Sequence, residues 1–271
     1  MTVDWDARQR AMLAEMGFRL PQRAALAGGV DTMGGGVAVE ERPALALSPA
    51  AAPAPAPAMI VRPRVTAPTS APTAAFVDLD FSALREAVLV CRGCSLCEQR
   101  RNAVYGNGAV PQAQWLVVTD PPDEADDAAG EALSGDAGRL LDRMLAAAGH
   151  SRHSHHSRTV DHVPTAYVTP IVKCRAPRGR APLAAELDAC EAVLARQAAL
   201  LQPRLVLALG PLAARRLTGL AEPLGKLRGR VHTWHDLPVV VSYHPAYLLR
   251  SPADKAGAWD DLCLARANST E

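Results

Sequence analysis

The sequence predicts an α/β fold in which a mostly parallel β-sheet is covered by helices on both faces. Runs of apolar residues lie at 115–119, 204–210 and 238–242, each too short for a typical helix and each bounded by polar residues, Gly or Pro. These runs alternate with longer stretches of helical periodicity. Strands without polar alternation are buried on both sides, and their alternation with helices is typical of parallel sheets.

The predicted elements follow one another from residue 76 onward. Helices are predicted at 80–90, 137–148, 183–201, 211–217 and from about 253 to 267, and strands at 115–119, 166–169, 204–210 and 238–242. Ligands of such folds bind in the loops at the carboxyl ends of the strands. We therefore look for the functional residues after residues 119, 169, 210 and 242.

The chain divides into three predicted regions. Residues 1–18 form a short amphipathic helix whose apolar side carries Trp5, Leu13 and Met16, with Phe18 at its end. An Ala/Pro-rich region over 19–75 is interpreted as a disordered linker, and 76–271 as the globular domain. The helix is either a terminus that packs loosely on the domain or a peptide that binds a partner through its apolar side.

Composition limits the function classes. The chain has 271 residues, a net charge of +1 and six cysteines. A charge so close to zero provides no global attraction to nucleic acid, so any DNA surface must be a local patch. We expect a cytoplasmic protein with reduced thiols, because the sequence shows neither a signal peptide nor a long apolar run. A His-rich insertion at 150–162 is interpreted as a hydrophilic loop.

Four cysteines predict a metal site. Cys91 and Cys94 form a C-x-x-C pair, Cys174 follows a predicted strand, and Cys190 lies in the helix after it. Four thiolates without a neighbouring His suit a zinc ion or a [4Fe–4S] cluster. The alternative is that these are ordinary buried structural cysteines.

Several segments resemble the family 4 uracil-DNA glycosylases, which are iron–sulfur members of the uracil-DNA glycosylase superfamily. The resemblance spans 83–262 and rests on CRGCSLCEQR at 91–100, VYGNG at 104–108, VKCRAP at 172–177, ALG at 208–210, LRGR at 227–230 and YHPAYLLR at 243–250. It implies a three-layer α/β/α fold and a [4Fe–4S] cluster on Cys91, Cys94, Cys174 and Cys190, with zinc as the second choice. Cys97 and Cys263 are implied not to be ligands.

The resemblance also implies a catalytic pair. His244, in a His-Pro motif, would stabilise negative charge on the departing base. Asp120, in the loop after the first buried strand, would position water or support the cationic sugar. The family expels its base from the DNA stack into a pocket before cleavage.

Other pocket positions depart from the family motif. The Gly-Glu-Ala-Pro-Gly loop of the family is Thr-Asp-Pro-Pro-Asp at 119–123, so the acid Asp120 is one methylene shorter than Glu. Pro121 stiffens the loop and removes an N–H donor, whereas Pro122, the other proline of this predicted pocket loop, stands where the family motif also has Pro. Leu133 replaces the stacking Phe, and Pro170 replaces the Asn that reads the base. Because proline has no polar side chain, we expect uracil excision to be weak or absent.

DNA contacts are expected from loops that the fold brings to one side. The expected residues are Arg100, Arg101, Arg228, Arg230, Pro245 and Arg250. Arginines in such loops contact phosphates, and the YHPAYLLR segment resembles the minor-groove wedge of the family. The competing interpretation is a structural turn with Leu248 in the core and ordinary surface arginines.

Three functions remain open at this point. The first is a monomeric DNA glycosylase acting on uracil or another damaged base. The second is a non-catalytic replisome accessory, because residues 4–18 resemble the start of the psi subunit of the bacterial clamp loader. The third is a four-cysteine zinc domain that binds nucleic acid without chemistry.

Overall fold

The computed structural model describes residues 76–110, 113–153, 155–156, 161–162 and 165–269. The predicted N-terminal helix and linker lie outside these residues. Among the described helices, none is long and apolar enough to span a membrane.

A six-stranded sheet forms the centre of the domain, in the order β1-β5-β2-β6-β8-β7. Its strands are β1 (Asn107–Gly108), β2 (Trp115–Thr119), β5 (Ala166–Pro170), β6 (Leu205–Leu209), β7 (Val231–Trp234) and β8 (Leu237–Ser242). The four central strands are parallel, and the two edge strands β1 and β7 are antiparallel to their neighbours. The mostly parallel sheet is thus confirmed, whereas the sequence did not indicate either edge strand.

Helices lie along the chain between these strands. They are α1 (Phe81–Leu89), α2 (Glu124–Ala129), α3 (Asp136–Ala148), α4 (Ala184–Leu201), α5 (Pro211–Thr218), α6 (Leu224–Leu227), α7 (Pro245–Arg250) and α8 (Lys255–Ala267). The predicted long helices agree with α1, α3, α4, α5 and α8 within a few residues at each end. Two short strands, β3 (His155–His156) and β4 (Asp161–His162), pair antiparallel within the His-rich insertion.

Two apolar cores cover the sheet, one on each face. Side chains of β2 alternate between them: Leu116 and Val118 pack with α4 and α5, whereas Trp115 and Val117 pack with α3 and α8. The three layers that the family resemblance implies are therefore present. A smaller cluster, which includes Leu84 and Val193, joins α1 to the outer side of α4.

The carboxyl ends of the parallel strands position the functional loops. β2, β5, β6 and β8 end in register at Thr119, Pro170, Leu209 and Ser242. The residues that follow these strands therefore meet at one edge of the sheet. This edge carries every loop in which the sequence predicted a catalytic residue.

Candidate active site and thiol cavity

An open cleft lies at this edge of the sheet. Its volume is about 450 Å³, and it is lined by Asp120, Pro211, Leu224, Tyr243, His244, Tyr247 and Arg250. The two predicted catalytic residues therefore share one cleft, although 123 positions separate them in the sequence. A space of this size can hold a nucleobase with part of its sugar.

The carboxylate of Asp120 is held against the first turn of α5. Its Oδ1 accepts hydrogen bonds from the backbone N–H groups of Leu212 and Ala213, both at 2.9 Å. Gly210 makes this approach feasible, because a Cβ at that position would lie 2.4 Å from Asp120 Oδ2. Burial raises the pKa of Asp120 to about 6, and the two N–H donors only partly offset this effect of burial.

His244 is the N-cap residue of α7 and is neutral near pH 7. Its Nδ1 accepts a hydrogen bond from the Ala246 N–H at 3.2 Å. Burial lowers the pKa of His244 to about 4. In the neutral ring the proton must therefore be on Nε2, because Nδ1 acts as an acceptor. The ring offers the cleft one N–H donor and no positive charge.

Beside Asp120 and His244, two tyrosines stack on each other, and the sequence analysis did not single them out as site residues. The guanidinium of Arg228 lies 3.9 Å from the ring centre of Tyr243, and Tyr243 stacks on Tyr247 at 5.2 Å and 27°. Arg228 also forms an ion pair with Asp261, with 2.7 Å between Nε and Oδ2. Tyr247 is 37% exposed, and its hydroxyl group donates a hydrogen bond to Asp254. We call the residues Arg228, Tyr243 and Tyr247 the aromatic column.

The substitutions that distinguish this loop region from the family lie mostly in the protein interior. Leu133 is only 4% exposed and packs in the core that contains α3. Its backbone has a φ of 52°, and its carbonyl accepts a hydrogen bond from the buried Arg152 at 3.1 Å. Pro170 ends β5, and its carbonyl accepts a hydrogen bond from Lys173. Pro122 is buried and Pro121 partly buried.

The predicted DNA-binding arginines have different surroundings. Arg250 lines the cleft. Arg230 pairs with Glu222 at the surface, and Arg228 belongs to the aromatic column. Arg100 donates to the sulfur of Cys174 and to the carbonyl of Leu89. Pro245 is buried at the start of α7, and Leu248 is fully buried in the core, as the structural-turn interpretation expects.

A separate cavity brings the predicted metal ligands together. Its lining includes Cys91, Cys94, Cys174 and Cys190, together with Cys97, Arg100 and Lys173. The sulfurs of Cys91 and Cys190 accept backbone N–H bonds from Gly93 and Lys173, both at 3.4 Å. Cys97, which the resemblance excludes as a ligand, lines the same cavity, whereas Cys263 is exposed on α8.

Two thiols of this cavity, those of Cys94 and Cys174, are protonated when no metal is bound. Burial raises the pKa of Cys94 to about 11 and that of Cys174 to about 12. Metal binding must therefore release protons here. Within the described ranges, no group of three or more His, Cys, Asp or Glu side chains is placed to hold a metal ion. A zinc ion needs four donors at about 2.0–2.3 Å from one centre, and a [4Fe–4S] cluster is held by four thiolates. The four predicted ligands that line this cavity are enough in number for either group.

Comparison with known proteins agrees with this geometry. The model of the uracil DNA glycosylase superfamily matches residues 105–263. The type-4 uracil-DNA glycosylase of Pyrobaculum aerophilum is 32% identical over 194 residues, which cover 69% of this chain and 93% of that protein. The type-4 enzyme of Saccharolobus solfataricus is 31% identical over 178 residues, 62% of this chain and 77% of that protein.

A third relative, the type-4 uracil-DNA glycosylase of Archaeoglobus fulgidus, is 31% identical over 173 residues, 61% of this chain and 81% of its own length. The family model matches more than half of the chain and includes β2, β6, β8 and both predicted catalytic residues. The chain belongs to the uracil-DNA glycosylase superfamily, in its type-4 family.

Proposed function

We propose that this protein is a DNA glycosylase that removes uracil or another damaged base from DNA in base excision repair. The observation that carries the proposal is the shared cleft of Asp120 and His244 at the carboxyl edge of the sheet. The pair combines a carboxyl group with a pKa of about 6, ionised near pH 7, and a neutral imidazole that can donate a hydrogen bond to the departing base.

The two residues have different roles in the proposed reaction. When the base departs, it takes the electrons of the glycosidic bond and becomes negative. The Nε2–H of His244 donates a hydrogen bond to this charge, and a buried site strengthens that interaction. Asp120 supplies a negative charge that stabilises the cationic sugar or orients the attacking water. Its hydrogen bonds to α5 hold the carboxylate in place before the base arrives.

The aromatic column supplies the stacking surface in this proposal. Tyr247 has one face on Tyr243 and is partly exposed at the cleft, whereas Leu133 is buried in the core. A base or a neighbouring nucleotide can stack on its outer face. Because Pro170 offers no side-chain hydrogen bond, we expect stacking to dominate over reading of the base edge. The enzyme should then discriminate poorly between uracil and other bases.

We further infer that Cys91, Cys94, Cys174 and Cys190 hold a [4Fe–4S] cluster. The cluster would join the loop at 91–98, the segment after β5 and helix α4, and so act as a structural cross-link near the DNA-facing edge. What supports it is the common cavity of these thiols, with donors directed at three of the sulfurs. Anaerobically purified protein should be brown and contain about four iron and four sulfide ions per chain.

Release of uracil from single-stranded DNA by the brown, anaerobically purified protein tests the glycosylase proposal. The control is His244→Ala, which removes the Nε2–H donor at the cleft. Release that disappears in the control supports the proposed chemistry. A folded protein with an intact cluster that releases neither uracil nor other damaged bases would overturn it. The burial of Leu133 and the proline at position 170 would then favour a non-catalytic accessory that retains the fold.

A further inference from the structure

Arg100 lies at the thiol cavity in a way that its predicted role in DNA binding does not explain. Its Nη1 donates a hydrogen bond to Cys174 Sγ at 3.0 Å, and its Nη2 donates to the Leu89 carbonyl at 2.9 Å. The second bond fixes the guanidinium at the end of α1. Both donating groups are thus engaged by atoms of the protein itself.

The charge of Arg100 acts on several sulfurs at once. Besides Cys174, the thiols of Cys91 and Cys97 are close enough to interact electrostatically with the guanidinium. No carboxylate forms an ion pair with Arg100 in the part of the chain described above. The positive charge is therefore not neutralised by an acid in these residues, and thiolates holding a cluster would supply the negative charge beside it.

The other cation at the cavity is arranged differently. Lys173 is fully buried, and its Nζ donates to Thr169 Oγ1 and to the Pro170 carbonyl. Only its backbone N–H reaches a sulfur, that of Cys190. Within the described residues, Arg100 is therefore the side chain that both carries a charge and donates to a sulfur.

Such a contact has a defined effect on an iron–sulfur cluster. Thiolate ligands are anionic, and one-electron reduction adds another negative charge to the cluster. A nearby cation and an N–H···S bond stabilise the more negative, reduced form, and so raise the reduction potential. The same positive charge attracts the anionic cluster with its thiolate ligands, and so opposes the loss of iron.

We propose that Arg100 is the electrostatic partner of Cys174 at the cluster, where it raises the reduction potential and slows the loss of iron. This inference rests on the [4Fe–4S] part of the proposed function. It does not depend on glycosylase activity, because each of its measurements concerns the cluster.

The test compares Arg100→Gln, which keeps amide N–H donors without the charge, with Arg100→Lys, which keeps the charge. The matched control is Arg101→Gln, a neighbouring exposed arginine outside the cavity lining. Full-length protein is prepared anaerobically, and iron and sulfide are quantified. Reduction by dithionite is followed by electron paramagnetic resonance, and bleaching by a chelator is followed by absorbance.

We expect Arg100→Gln to lower the one-electron equilibrium constant about tenfold or more, a shift of about 59 mV. Its cluster should also bleach several-fold faster. The reduction potential and the bleaching rate of Arg100→Lys should be close to those of the unaltered protein. Those of Arg101→Gln should equal the unaltered values. Loss of iron in Arg100→Gln with retention in Arg100→Lys would support the inference equally, because charge is what distinguishes the two variants.

Three results would overturn the inference. The first is an unchanged potential and bleaching rate in Arg100→Gln. The second is equal loss of iron in both variants, which would show that the shape of Arg100 matters and its charge does not. The third is unaltered protein without iron and sulfide, which would remove the proposed cluster as well. An intact, unchanged cluster with weakened DNA binding would return Arg100 to its predicted phosphate contact.

Discussion

At the scale of single residues, the predicted catalytic residue Asp120 lowers the stability of the folded protein at neutral pH. Its carboxylate is buried, and its pKa of about 6 lies above the ordinary value of 3.8. The folded protein therefore binds more protons than the unfolded chain between these pH values, and stability falls as the pH rises through this interval. Below about pH 4 both states are protonated and the cost is absent.

Asp120→Asn should therefore stabilise the protein above pH 6. The amide oxygen can still accept the N–H bonds of Leu212 and Ala213, which both end on Oδ1. We expect a gain of roughly 1–3 kcal/mol in the free energy of unfolding at pH 7 and almost none at pH 4. Urea unfolding at the two pH values measures it. A variant that is less stable than the unaltered protein at pH 7 would contradict the conclusion that Asp120 is a buried carboxyl group with a raised pKa.

Base release should depend on pH through the same group. If the carboxylate is the active form, kcat/KM rises as the pH increases through about 6. His244 adds no second transition there, because its pKa of about 4 keeps it neutral over this range. A pH–rate profile measures the rise, and Asp120→Asn should remove both the rise and most of the activity. A rise that persists in Asp120→Asn would assign it to another group.

Asp120 and His244 were predicted as a catalytic pair because they stand in short motifs directly after buried strands, and the structure places both in one cleft. The tyrosines of the aromatic column stand in the same YHPAYLLR segment, yet their stacking depends on Arg228, which is brought there by a different loop. Sequence alone does not show which way a long side chain turns, so it did not indicate that Arg100 donates a hydrogen bond to Cys174 Sγ. Residue type and position were predictable, whereas partners across the fold were not.

At the scale of elements, α7 presents the stacking surface of the cleft. Tyr247→Leu should weaken binding of single-stranded DNA, because leucine removes the ring and leaves the α7 backbone intact. We expect Kd to rise roughly five- to hundredfold, as measured by fluorescence anisotropy. Tyr247→Phe is the matched control, since it keeps the ring and removes only the bond to Asp254. Equal effects of the two substitutions would count against stacking.

The contact between α3 and the preceding loop gives a second prediction for an element. Alanine ordinarily stabilises a helix relative to glycine, by about 1 kcal/mol. A Cβ on Gly138, however, would lie 1.7 Å from the Leu133 carbonyl oxygen. We therefore expect Gly138→Ala to destabilise the protein by about 1–3 kcal/mol or more.

Gly135→Ala is the control for this substitution, because a Cβ on Gly135 would meet no atom within 4 Å. Thermal or urea unfolding of both variants measures the difference. A Gly138→Ala protein as stable as the Gly135→Ala protein would show that the loop yields, and that Leu133 is not fixed by this contact.

The main helices and the four central strands were predictable because apolar periodicity determines burial. The edge strands were not, because β1 has two residues and β7 is largely exposed or partly exposed. Neither carries the apolar run that identifies a buried strand. Short elements such as α2, α6 and α7 are fixed by the loops around them and have too few residues for a periodic signal.

At the scale of the whole molecule, the thiol cavity and the cleft depend on one sheet. Segments separated by more than 70 positions meet at the sulfurs, and the ends of β2, β6 and β8 meet at the cleft. The sequence indicated the cysteines and the strands but not Cys97 as a cavity residue, because spacing does not show which of three nearby thiols faces inward.

The N-terminal segment, outside the described residues, remains a predicted partner site. If residues 4–18 bind a clamp loader as the psi resemblance implies, a peptide of residues 1–30 should bind clamp-loader proteins. Trp5, Leu13, Met16 and Phe18 should carry most of the affinity, because large apolar side chains dominate helix-in-groove binding. Calorimetry with the peptide and with a Leu13→Asp, Met16→Asp peptide measures this. Absence of binding by the unaltered peptide would remove the prediction.

The left-handed backbone of Leu133 also bears on whether this protein can be converted by engineering into an efficient uracil enzyme. Its side chain is enclosed by the core, and its carbonyl is fixed by Arg152 and by the close approach of Gly138. A phenylalanine placed there would meet a filled interior instead of an incoming base. Directed evolution would thus have to remodel several neighbouring positions together, and a library of single substitutions should yield no large gain at position 133.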